Sequence, residues 1–252
     1  MGHWRLITIT SLLGSLILTG CSQKPLPRMD SYLGVTGKGE QTAASIQSLS
    51  ATGSFDVGLL LINDTSAEGS APALSDHGKA YLTDQVRKRV EPATPIRIVK
   101  VLTVADPTQH HDGQALAKLA QEQGLSYLMV ALFSSEESQV PTYMSIMGGP
   151  EQGGGFGNVL GIETVNYALA ELALIDAINA QVLARSDGRA WTKLNELNVP
   201  VQSNAYPVIH RSQRIAPIFP PADQAKDVLR SIAGDEALEQ AVGKLEQDWP
   251  KS

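Results

Sequence analysis

The chain holds a single cysteine, Cys21, in 252 residues, and that scarcity removes whole classes of chemistry. One thiol cannot close an intramolecular disulfide, so packing alone must hold the fold, even in an oxidising compartment. A cysteine metal cage is excluded for the same reason. Aromatic residues make up 5% of the chain, too few to line a deep aromatic pocket. Basic residues are outnumbered, 20 Lys and Arg against 26 Asp and Glu, for a net charge of −6 and a pI near 5.4. They form no basic run, which argues against nucleic acid and against anionic lipid as partners. No G-x-S-x-G nucleophile elbow occurs.

The lone cysteine stands in an informative place. "MGHWRLITITSLLGSLILTGC" opens with one basic residue, Arg5, continues as an apolar run from Leu6 to Leu18, and ends in Leu18-Thr19-Gly20-Cys21. A run this short, closed by small residues, reads as a secretory leader rather than a membrane-spanning helix. The L-T-G-C ending resembles the bacterial lipobox, which implies cleavage after Gly20 and lipidation of Cys21. By the same resemblance, Ser22 in place of aspartate implies sorting to the outer membrane, with the chain probing the periplasm. Loss of Arg5 with the leader takes the net charge one unit lower.

Residues 21–54 are rich in Ser, Gly, Thr, Gln and Pro, and read as a disordered, lipid-anchored tether, within which "MDSYLGV" could pack locally. A single α/β (α+β) domain is expected over 55–252. "FDVGLLLIND" (55–64) reads as a buried strand. A helix follows, capped by Ser75, with Ala80, Leu82, Val86 and Val90 as its stripe and Glu91-Pro92 as its stop. "IRIVKVLTV" (96–104) is a second strand, "DGQALAKLAQEQGL" a helix capped by Asp112, and "SYLMVALFSS" (126–135) a third strand. The apolar residues of "LIDAINAQVLARSDGRAW" keep no helical stripe, so a long β-hairpin is expected, turning near 177–181. Proline-rich 198–221 reads as irregular, and a helix over 222–248 completes a mixed sheet of about five strands packed by two to three helices. That helix buries Val228, Leu229, Ile232, Leu238, Ala241, Val242 and Leu245, with a break at Gly234-Asp235.

Two motifs invite a chemical reading. "MGGPEQGGGFG" (147–157) is six-elevenths glycine. The dinucleotide fingerprint fails at Leu160, and the lysine of a Walker loop is missing, since none lies between Lys118 and Lys193. The stretch therefore reads as the tip of a glycine-rich loop over 136–161. Tyr143, Met144, Ile146, Met147, Phe156, Val159 and Leu160 are its candidate contacts to a partner or a sister subunit. In "TQHHDGQ", the adjacent His110 and His111 point in different directions, so no metal site is expected there; His77 and His210 sit in unrelated segments. Asp176 and Asp187 read as turn residues. Glu136 and Glu137, at the end of the third strand, are the acids best placed for catalysis if they share a pocket with a histidine. No enzyme, cofactor or metal is expected.

Four stretches carry a wider resemblance: "LLLINDTS", "LTDQVRKRVE", "LAKLAQEQGLSYLMVALFSS" and the hairpin "ELALIDAINAQVLARSDGRAW". They are similar to a group containing the curli secretion-channel lipoprotein, the penicillin-binding-protein activator lipoprotein and the TolB N-terminal domain. The hairpin departs from the group's pattern, with Ala180 and Ala184 where glycine and a bulkier residue often stand. The resemblance implies a non-enzymatic envelope protein. It would be a tethered adaptor or activator that binds a protein partner, or a subunit of an oligomeric outer-membrane secretion channel.

Overall fold

A computed structural model describes residues 24–34, 53–103, 112–147, 156–198, 205–212 and 216–249. In chain order the elements are α1 (Met29–Leu33), β1 (Phe55–Asp64), α2 (Asp76–Ala93), β2 (Ile96–Leu102), α3 (Gly113–Glu122) and β3 (Tyr127–Met147). They continue as β4 (Phe156–Asp176), β5 (Gln181–Leu197), β6 (Val208–Arg211) and α4 (Ala225–Asp248). One six-stranded mixed sheet has the order β2-β1-β3-β4-β5-β6, parallel from β2 to β3 and antiparallel beyond. The expected α/β class and the long hairpin are present, with six strands where about five were expected.

The sheet separates two cores because successive strand residues face opposite ways. Val57, Leu59, Met129, Ala131, Phe133, Leu172 and Leu174 pack under α2 and α4. Leu60, Ile62, Leu128, Val130, Leu132, Ala173 and Ile175 pack under α1 and α3. Burial on both faces explains why β1 reads as a continuous apolar run.

Helix starts follow the sequence closely. The Ser75 side chain accepts from Gly78 N at 3.0 Å, and Asp112 from Ala115 N at 2.7 Å. Gly78, Leu82, Val86 and Val90 form the buried stripe of α2, whereas Ala80 is exposed. Pro92 lies inside the last turn of α2 rather than stopping it one residue earlier. α4 begins three residues later than expected and runs unbroken through Gly234-Asp235. It crosses β5 closely at Gly188, where a Cβ would collide with the Ala237 carbonyl oxygen.

Three expectations are corrected. Residues 136–161 are not a loop. β3 and β4 pair without interruption from Tyr127↔Asp176 to Met147↔Phe156, so only 148–155 lie outside the described residues. Backbone pairing overrides composition here, because each strand satisfies the other's N–H and C=O groups regardless of side chain. Pro141 fits because β3 has no strand on its other side at that point, and an open edge needs no N–H. Second, residues 24–34 of the expected tether are folded onto the domain. Third, the proline-rich segment supplies β6, which pairs with Thr192–Asn195 of β5.

The β4–β5 turn holds Ala180 at φ 56°, the left-handed region where the resembled hairpins carry glycine. An L-residue there costs about 1–2 kcal/mol, against roughly 0.5–1 kcal/mol of extra chain entropy for glycine. Ala180→Gly should therefore stabilise the protein by about 0.5–1 kcal/mol, read as a higher urea midpoint at unchanged slope. A midpoint that falls would show that the turn is not strained.

Candidate functional site

The first feature is the docking of residues 24–34. Met29, Tyr32 and Leu33 are buried among the residues under α1 and α3. Ordering the five residues of α1 costs about 1–2 kcal/mol each, and burying three large side chains returns about 1.5–3 each. The two terms nearly cancel, so polar contacts decide whether the segment stays. Glu171, buried in the middle of β4, accepts from Arg28 N at 2.8 Å and Met29 N at 3.2 Å, capping a helix whose own residues supply no cap. Arg185 Nη1 meets Asp30 Oδ1 at 2.6 Å, and Arg189 Nη1 donates to the Pro25 carbonyl at 2.9 Å. Arg28 Nε lies 3.7 Å from the buried Asp64 carboxylate. Burial, then the Asp64 charge, pushes the Tyr32 phenol up to about 12. Burial likewise raises the Glu171 carboxyl above the usual 4.5, opposed by the two backbone N–H donors.

Sequence reasoning passes over Glu171. The signal was present, a single acid inside "ALAELALID", but only a partner 142 residues away gives it a role.

The second feature is the outer part of the β3–β4 hairpin. Tyr143 and Leu160 are direct cross-strand partners and are 77% and 43% exposed. Met144 pairs with Val159 on the opposite face, and Met144 is buried, its sulfur lying over Gly161, where a Cβ would leave it 2.6 Å of room. Ile146 and Val159 are half-buried. Of the seven expected contact residues, the structure thus offers Tyr143 and Leu160 together on one face and turns Met144 inward. The side chains of Met147 and Phe156 lie outside the described residues, as do Cys21, His110 and His111. The Tyr206 hydroxyl donates to the Ser145 carbonyl at 3.3 Å, linking the segment before β6 to this hairpin.

The third feature is a groove of about 570 Å³ on the α1/α3 face of β4 and β5, beyond the reach of either helix. Tyr167 and Trp191 are cross-strand partners on its floor, and Trp191 is 40% exposed. In the adjoining rows Lys193 pairs with Glu163 at 3.0 Å, and Lys24, Pro25 and Arg189 form the rim.

Glu136 and Glu137 take opposite faces of β3. Glu137 holds Arg230 of α4 at 2.6 Å, both side chains nearly buried, a structural tie between sheet and helix. Glu136 borders a smaller cavity with Arg28, Asp64 and Ser134, and no histidine lines it among the described residues. Asp176 accepts from Ile178 N at 2.8 Å, the turn role expected of it. Asp187 does not serve a turn; it lies within β5 and meets Lys244 of α4 at 3.2 Å.

No family model matches the chain, and no curated protein matches its sequence. Several solved structures are similar to it at low TM-score and low identity. The PelC dodecamer from Paraburkholderia phytofirmans has a TM-score of 0.32 and 11% identity over 77% of this chain and 88% of that one. A minor lipoprotein from Acinetobacter baumannii has a TM-score of 0.30 and 9% identity over 76% and 91%. Lipoprotein GNA1162 from Neisseria meningitidis has a TM-score of 0.27 and 11% identity over 59% and 87%.

The raised carboxyl of Glu171 means that the native protein holds this proton more tightly than the unfolded chain does. Its contribution to stability is then fully present below the unfolded value near 4.5 and declines as pH rises through the raised folded value. Glu171→Gln should flatten that decline, measured as unfolding free energy by urea titration at intervals from acid to neutral pH. Glu171→Ala strands two backbone donors, costs about 1–3 kcal/mol, and should speed tryptic cleavage after Arg28. Unchanged cleavage would mean that the segment is held without this cap.

Proposed function

We propose that this chain is a lipid-anchored outer-membrane protein of the cell envelope that works without catalysis, as a periplasmic adaptor or activator for another envelope protein. The lipobox-like Leu18-Thr19-Gly20-Cys21 supports the anchor. The observation that carries the binding role is the exposed Tyr143–Leu160 pair. It is an apolar cross-strand patch on a hairpin that outruns the helices packed on its sheet. Aromatic residues are scarce in this chain, and exposed large apolar pairs favour contact with a partner.

A second reading, a subunit of an oligomeric secretion channel, draws on the same hairpin. Its outer arms, 138–147 and 156–165, are each about as long as a membrane-spanning β-strand of roughly 9–11 residues. The adaptor is preferred because only one such hairpin is present among the described residues, and both of its faces mix apolar and polar side chains.

Light scattering of the full-length lipidated protein in mild detergent separates the two. A monomer or dimer is expected, and a discrete ring of many subunits would replace the adaptor with the channel subunit. Photo-crosslinking from position 143 in cells should capture an envelope protein other than this chain, and Leu160→Asp should abolish the product. Cys21→Ala should leave an unprocessed precursor and no crosslink. Crosslinking that is indifferent to Leu160→Asp would remove the hairpin from the interface.

A further inference from the structure

The linear sequence has no basic run, yet the fold gathers cations around an exposed aromatic floor. Lys24, Arg189 and Lys193 surround Tyr167 and Trp191 on the α1/α3 face, with Glu163 the one acid lining the groove. Leu26, 74% exposed, stands beside this rim on the same docked segment. Trp and Tyr flanked by Lys and Arg are the residues enriched where protein meets the lipid–water interface.

Where the anchor attaches decides what can cover this face. Two residues, Ser22 and Gln23, separate Cys21 from Lys24, and the three Cα–Cα steps span at most about 11 Å even when fully extended. The headgroup layer on each side of a bilayer is itself about 5–7 Å deep. With residues 24–34 clamped to the sheet, the rim of the groove cannot move far from the surface in which the lipid is seated. Residues 35–52 lie between two segments that are both fixed to the domain, so they cannot act as a spacer while that clamp holds. The overall negative charge does not oppose this approach, because acids more than about 8–10 Å from the surface are screened at physiological salt.

We propose that the α1/α3 face bearing Tyr167, Trp191 and Lys193 is a membrane-contacting surface, laid against phospholipid headgroups by the docked N-terminal segment. In this arrangement the cations meet lipid phosphates and Trp191 and Leu26 enter the interface. The proposal rests on lipidation of Cys21, and it replaces a domain held away from the membrane with one lying on it. The β3–β4 hairpin then extends past the membrane-bound face and presents the Tyr143–Leu160 pair on the other side of the sheet.

Tryptophan fluorescence tests this directly. Removal of the leader takes Trp4 and leaves Trp191 and Trp249, the latter buried beside Phe55. The full-length lipidated protein is reconstituted into vesicles of phosphatidylethanolamine and phosphatidylglycerol with brominated acyl chains, and recovered by flotation. Emission should fall by about half relative to unbrominated vesicles, since one of two indoles reaches the interface, and Trp191→Phe should abolish the fall. A protein that is acylated and floats but is not quenched overturns the proposal while leaving the lipoprotein reading intact. Quenching that survives Trp191→Phe overturns it as well. If Trp191 is unquenched by bromolipid yet open to aqueous iodide, the face points away from the bilayer and the proposal is overturned. Mass spectrometry that finds Cys21 unacylated removes both readings together.

Discussion

The antiparallel ladder between β3 and β4 is the constraint on which the other features depend. Its register is continuous over 21 residues of each strand. Because side chains alternate with a period of two, a slip of one residue would exchange the two faces along the whole length. That register sends Met129, Ala131 and Phe133 to α2 and α4, and Leu128, Val130 and Leu132 to α1 and α3. The same alternation parts Glu136 from Glu137, so neighbours in sequence serve different faces. It also aligns Tyr143 with Leu160 on one side and Met144 with Val159 on the other. Core packing at one end of the ladder thereby sets which side chains are available at the other.

Docking of residues 24–34 has a different energetic character. Its apolar burial roughly offsets the entropy of ordering, so the attachment depends on charge-assisted contacts to Glu171, Arg185 and Arg189. Contacts of this kind are strong only while the groups stay desolvated and correctly charged. Glu171 is the least replaceable, since it answers two backbone donors from inside the sheet. The domain body does not need this segment for its sheet, whose other core, under α2 and α4, contains none of its residues. Release of the segment would instead uncover the core under α1 and α3, where Met29, Tyr32 and Leu33 are buried. Under the proposed lipidation of Cys21, whether the segment is docked or released decides how far from the membrane the domain stands.

Under the proposed adaptor reading, function is distributed over surfaces rather than concentrated at reacting groups. The nearly buried Glu137–Arg230 pair joins sheet to helix. Asp64, Arg28 and Tyr32 form one compact cluster around the N-terminal segment. Two groups available to the outside are an apolar cross-strand pair on the outer hairpin and an aromatic floor ringed by cations. These lie on opposite faces of the same strands, so one sheet can address two partners at once.

Local physical chemistry made much of this legible from the chain alone. The caps at Ser75 and Asp112, the buried run of β1 and the turn after Asp176 follow from nearest-neighbour rules. So do most residues of the apolar stripes of α2 and α4, although Ala80 is exposed and Val228 and Ile232 are only half-buried. Even the departure at Ala180 was visible as a residue standing where the resembled hairpins often carry glycine, and it sits at a positive φ. The glycine-rich stretch misled for a stated reason. Composition reports what a segment prefers when unpaired, whereas β3 and β4 continue because each completes the other's hydrogen bonds. Glu171 was out of reach because its donors lie more than a hundred residues away, and the Tyr167–Trp191 floor because it depends on the register of β4 against β5. The amino-acid sequence by itself determined the class of fold, the helix starts at Ser75 and Asp112, and the place of the lone cysteine. Only the tertiary structure decided that the N-terminal segment is clamped and which exposed residues stand side by side, since both are set by strand register, a long-range pairing that no local pattern encodes.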